Sequence, residues 1–171
     1  TPVKADYNRP RLPVDRVFSL TGFGTIVTGT LLDGTFSVGE EVVCLPTGLH
    51  ARIRGVQNHN QKQMQSHPGT RTALNLSGID KSQISRGDVI AWPESYEPTQ
   101  LLDASFRYLP GLSTDFEHNT EVKLFIVAPA TVAQACMIGA NHLEQGDEGF
   151  LQLRLAAPVV AVRRDRYILR M

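Results

Sequence analysis

The sequence predicts an all-β protein built as two small antiparallel β-barrels in tandem. Three observations lead there. Apolar and polar residues alternate over short runs, the two-residue period of a strand with one dry face. Glycines and prolines, 14 and 10 of them in 171 residues, interrupt those runs at short intervals, the punctuation of barrels and sandwiches. No amphipathic stretch reaches three helical turns.

Residues 1–10 are polar, contain Pro2 and Pro10, and read as a connecting arm. The first barrel is expected over residues 11–93. Its opening hairpin is the clearest element: Val17, Phe18 and Leu20 precede a Gly22-Phe23-Gly24 turn, and Ile26, Val27 and Leu31 follow it. Glycine tolerates the positive φ that a tight reversal demands. The turn is not a nucleotide loop. It matches neither G-x-G-x-x-G nor G-x-x-x-x-G-K-[ST], and the β-branched residues after Gly24 leave no helix N-terminus to receive a phosphate.

Turns at Asp33-Gly34 and Val38-Gly39-Glu40 precede a strand over 41–45. From His50 to Gln57, Ala51, Ile53 and Val56 alternate with Arg52, Arg54 and Gln57, a half-wet strand. Pro68-Gly69 opens a strand over 70–76, Asp80 to Ile84 predicts one helical turn, and Arg86-Gly87-Asp88 turns into a strand over 89–91. Two prolines and two acids make 93–98 the expected domain boundary. Strands over 101–108, 120–127, 131–138, 150–155 and 167–170 compose the second barrel, expected over 98–171.

Lys plus Arg and Asp plus Glu number 17 each, so the net charge is zero. No wholesale attraction to nucleic acid is evident, and any RNA surface must arise from local clustering. Arg163, Arg164, Arg166 and Arg170 form one such cluster, with only Asp165 beside them. Cys44 and Cys136 lie in apolar runs without ligand spacing, which predicts buried free thiols, a reducing compartment and a cytoplasmic location. The five histidines show no metal spacing. No apolar run of about 18 residues and no leader pattern occurs, so no membrane partner is expected. The chain starts at Thr1, which suits a fragment of a longer protein.

The hairpin Asp15 to Thr30 closely resembles the opening of the second domain of translational GTPases of the elongation factor Tu type. Three runs narrow the resemblance to the selenocysteine-specific branch: Pro10 to Phe18, Ala51 to Asn60, and Pro68 to Leu76. The likeness extends over 98–171 as the third domain, ending in Arg164-Asp165-Arg166-Tyr167-Ile168-Leu169-Arg170. The GTPase fold is absent, with no phosphate loop and no Asn-Lys-x-Asp. This chain is therefore not expected to be an enzyme or to hold a cofactor, and GTP and Mg²⁺ are expected in a separate GTPase domain.

What the resemblance implies is an aminoacyl-tRNA-binding portion, with selenocysteyl-tRNA, the ribosome and its own GTPase domain as partners. The second domain of this family holds the aminoacyl group and the tRNA 3′ end. Asp15, Arg16 and Arg71 stand where the selenocysteine branch holds the selenocysteyl group. A selenol is an anion at neutral pH, and guanidiniums are always charged, so the pairing is chemically apt. Asp15 either orients a guanidinium or accepts from the α-amino group. Strand alternation sends Asp15 and Arg16 to opposite faces, so they share a site only where the strand is irregular. Arg86 matches a family position at the tRNA 5′ end, or else caps carbonyls near the helical turn. His59 either borders the pocket or sits in a surface loop. The competing readings are another Tu-like factor and an interaction barrel that packs on a GTPase domain.

Overall fold

The computed structural model describes residues 6–111 and 115–171. Residues 1–5 of the expected arm lie outside the described residues. The chain divides into two compact units, Thr1–Glu97 and Pro98–Met171.

The first unit contains β1 (Arg11–Pro13), β2 (Arg16–Leu20), β3 (Gly24–Thr30), β4 (Glu41–Leu45), β5 (Leu49–Asn58), β6 (Gln61–Gln63), β7 (Arg71–Ser77) and β8 (Val89–Ala91). They form one antiparallel sheet in the order β1-β8-β4-β5-β7-β3-β2, with β6 on β5. The two edges of this sheet, β1 and β2, are successive pieces of a single chain segment. That segment leaves β8 and joins β3 partway along, closing the barrel. At the changeover Val14 N–H donates to Asp88 O at 2.8 Å and Gly87 N–H to Val14 O at 2.9 Å, while Asp15 N–H donates to Thr28 O at 2.8 Å. The sequence puts Asp15 and Arg16 together in the first strand of the hairpin; the structure starts β2 at Arg16 and leaves Asp15 in the bend after β1, because barrel closure requires the partner to change.

The changeover brings two backbones together. A Cβ at Gly29 would lie 2.1 Å from Pro13 O, so no larger residue fits without displacing β1. At the opposite end of β3, Gly22 and Gly24 take φ of 83° and 85°, and Phe23 N–H returns to Leu20 O at 3.0 Å. Between these ends Val27, Leu74 and Leu76 point inward with Leu12, Phe36 and Ile90 to form the core. Asp80 caps a single 3₁₀ turn, Lys81–Gln83, whose Gln83 side chain accepts from Asp80 N–H.

The second unit contains β9 (Thr99–Arg107), β10 (Phe116–Glu117), β11 (Thr120–Ile126), β12 (Ala128–Ile138), β13 (His142–Leu143), β14 (Glu148–Val159) and β15 (Tyr167–Arg170). Five strands form a sheet in the order β15-β11-β12-β14-β9, and β10 pairs with β13 separately. The sheet curls until its edges approach: Tyr167 Oη donates to Ser105 O at 2.6 Å, from β15 to β9. Burial pushes that phenol up to about 12, so it stays a donor. A trough of about 1190 Å³ follows the line between these edges, floored by Phe106, Leu124 and Leu153 and rimmed by Arg163, Arg166 and Arg170. Phe106 and Tyr108 flank Phe116, with ring centroids 5.0 and 6.0 Å away.

Short β6, β10 and β13 went unpredicted, since two or three residues are too few to show a period. The cysteines correct a sequence expectation. Cys44 is buried, and burial with the nearby Asp88 charge pushes its thiol up to about 12. Cys136 is half-exposed, because Ala135 and Met137 take the inward positions of β12 on either side of it. No helix among the described residues is long and apolar enough to cross a membrane.

Candidate functional site

The outer wall of the first barrel follows from its register. Arg16 lies opposite Thr28, and Thr28 opposite Ala73; Thr30 lies opposite Arg71. The inward positions Val27, Thr72 and Leu74 are buried, so the residues between them point out. Arg16 and Arg71 therefore stand on the same outer face, two strands apart. Spacings of about 4.8 Å between strands and about 3.3 Å along them put their Cα atoms roughly 12 Å apart.

Asp15 comes to that face as well. Its carboxylate Oδ2 accepts from Arg71 Nη1 in an ion pair whose side chains are 46% and 53% exposed. Alternation separates Asp15 from Arg16 only in a regular strand, and Asp15 lies in the bend between β1 and β2. Arg16 is exposed and makes no side-chain hydrogen bond or ion pair among the described residues. An exposed pair such as Asp15–Arg71 contributes about 1 kcal/mol or less to stability. Its consequence is positional, holding one guanidinium over the wall.

Arg86 sits in the Ser85–Asp88 turn, next to Gly87, whose N–H meets Val14 O. This puts Arg86 beside the Val14–Asp15 bend. It caps no carbonyl of the 3₁₀ turn; the bond there is Ile84 N–H to Lys81 O. His59 and Asn60, at φ of 50° and 62°, form the two-residue reversal between β5 and β6, the backbone signature of a type I′ hairpin. Asn58 pairs with Thr72, so this turn lies at the Arg71 end of β7. All five residues singled out from the sequence thus occur around one end of the barrel, from the β1–β2 bend to the β5–β6 turn.

Other residues of this face were not singled out. A register shift between Ile53 and Gly55 leaves Arg54 exposed in a bulge of β5, next to the outward Asn75. Phe18 and Ile26 pair across β2 and β3, and with the exposed Leu20 and Phe23 they form an apolar strip continuing from Arg16. Thr28 Oγ1 and Asn75 Oδ1 are covered yet have no hydrogen-bond partner. The period-two pattern marks these residues as outward, but only pairing shows that they are neighbours. The face presents guanidiniums and a flanking apolar strip. Such a surface suits an anionic ligand that also carries flat apolar parts, as an unstacked nucleotide does.

Residues 24–91 match the family model of elongation factor Tu domain 2. A selenocysteine-specific elongation factor of Desulfomicrobium baculatum is 35% identical over 160 residues, covering 94% of this chain and 25% of that protein. The chain is a relative of the selenocysteine-specific elongation factors. The chain is also similar to a crystal structure of a bacterial selenocysteine-specific elongation factor, EF-Sec, with a TM-score of 0.77 and 27% identity, covering 97% of this chain and 27% of that one. Elongation factor 1-alpha of Ignicoccus hospitalis is 38% identical over 85 residues, which is 50% of this chain and 19% of that protein. The chain spans about a quarter of the length of the selenocysteine-specific factors it matches.

Proposed function

We propose that this chain is the aminoacyl-tRNA-binding portion of a selenocysteine-specific elongation factor that works in the cytoplasm and delivers its tRNA to the ribosome. The observation that carries this reading is the placement of Arg16 and Arg71 on one outer face of the first barrel, with Arg71 held by Asp15. A selenolate presents a full negative charge to two guanidiniums. A seryl hydroxyl presents none, and a cysteinyl thiol, with an ordinary pKa near 8.5, is mostly protonated at neutral pH. A hydrogen bond to a charged group contributes about 1.5–3 kcal/mol, roughly ten- to a hundredfold in affinity. In this reading Arg86 meets a backbone phosphate and positions the acceptor end without reading sequence. His59 borders the same site, and the second unit supplies further tRNA contacts through residues 163–170.

GTP and Mg²⁺ belong, in this proposal, to a separate GTPase domain of the longer protein. The present chain has no phosphate loop, and among the described residues no three His, Cys, Asp or Glu side chains gather to hold a metal. The test is Arg71→Ala in the full-length factor. Affinity for selenocysteyl-tRNA is expected to fall about ten- to a hundredfold, while seryl-tRNA changes by less than about threefold. Equal loss for both would show that Arg71 reads the tRNA backbone. That outcome would favour a second reading, a Tu-like factor for another aminoacyl-tRNA, which the elongation factor 1-alpha match supports.

A further inference from the structure

The segment 93–98 looks from its two prolines and two acids like an open linker out of the first unit. Its residues are instead fastened to the arm that leads in. Arg9 Nη2 donates to Ser95 O, and Tyr96 Oη donates back to Arg9 O. The Arg9 guanidinium lies 4.7 Å from the centroid of the Tyr96 ring, and that of Arg11 lies 5.9 Å from it. One aromatic ring thus receives two cations from the arm and β1, while two hydrogen bonds tie the backbones on either side. The arm has a second anchorage 24 residues further along the chain from Arg9: Tyr7 N–H donates to Asp33 Oδ1 at 2.8 Å, and Gly34 N–H to Asp6 Oδ1 at 3.1 Å. Pro10 packs so closely on Gly34 that a Cβ there would lie 2.5 Å from the proline ring.

We propose that Arg9, Arg11 and Tyr96 form a latch that makes the entering arm and the departing linker one opening unit, so that displacing either releases the other. The physical basis is the asymmetry of strength between the latch and its surroundings. Arg11 is 3% exposed and begins β1, so it is fixed by the barrel. Arg9 and Ser95–Tyr96 lie outside any strand, and two hydrogen bonds and a ring contact join them, while Ser95 also donates to Trp92 O. Segments with few buried apolar contacts open locally while the core stays closed, and here the two segments share the same contacts. They therefore open together. A displacement of the arm is passed to the residues that join the two units without disturbing the barrel.

Amide hydrogen exchange on the 171-residue chain tests this. Tyr96→Ala is expected to accelerate exchange about tenfold both in peptides covering 6–11 and in peptides covering 93–98, with β7 unchanged. Arg9→Ala is expected to do the same from the other side, and Tyr96→Phe, which keeps the ring and loses the hydroxyl, to give a smaller increase of about threefold. Acceleration confined to the segment that carries the substitution would overturn the latch, as would an Arg9→Ala linker that exchanges at the original rate. If Tyr96→Ala also loosens β7, the exposed Arg9→Ala variant decides.

Discussion

In the first unit the two edges of the sheet are one continuous segment; in the second, β9 and β15 remain separate edges, bridged by the Tyr167 hydroxyl. The difference originates in a few residues. Closure in the first unit needs a strand that gives up one partner for another, and a glycine where it crosses its neighbour. Val14–Asp15 supplies the bend and Gly29 the clearance. The second sheet has strands as long as the 12-residue β14, but none divides its length between two edges. The comparison teaches that strand length does not close a barrel; a change of partner does. It also explains where charge accumulates. The bend that closes the first barrel is the irregularity that carries Asp15 to the Arg71 face.

The largest expected contrast is in thiol reactivity. Cys44, in the closed unit at about 12, is ionised to roughly one part in ten thousand at pH 8 and should alkylate about a hundredfold or more slowly than half-exposed Cys136. Mass spectrometry of the iodoacetamide adducts measures this, and equal rates would mean that opening of the first barrel exposes Cys44 freely. Next is core truncation. Leu74→Ala, fully buried, should cost the first unit about 3 kcal/mol, whereas Leu169→Ala, half-buried at the open edge, should cost the second about 1 kcal/mol. Chemical denaturation followed separately in each unit distinguishes them. Gly29→Ala should cost about 2–3 kcal/mol by driving Pro13 away from β3, and loss of the slow-exchanging Val14 and Asp15 amides would locate the damage at the closure. The smallest effect is Tyr167→Phe, about 1 kcal/mol and confined to the second unit. A larger loss would mean that this hydroxyl, and not core packing, holds the curl.

Much of this architecture is legible without coordinates. The strand Glu41–Leu45, the hairpin turn at Gly22–Gly24 and the last strand Tyr167–Arg170 follow from alternation and turn chemistry. The single helical turn follows from the polar run Asp80 to Ile84, whereas its capping box emerges only in the structure. The candidate site was legible in identity and not in arrangement. Arg16, Arg71, Arg86 and His59 stand out as residue types in matching runs, but they are separated by up to 70 positions. Arg54 and the Phe18–Ile26 strip carry no local mark beyond facing outward. Cys136 was misread because an apolar run was taken as buried on both sides, although a single sheet buries only one.

Local pattern by itself determined that this protein is all-β and where its longer strands alternate and turn, because those properties depend on a two-residue period and on the backbone freedom of particular residues. Tertiary structure alone decided which strands are neighbours, that Asp15 leaves the alternation to pair with Arg71, and that Tyr96 fastens the linker to the arm. Pairing between distant segments is settled by how the whole sheet closes around its core, and a one-dimensional pattern holds no measure of that closure.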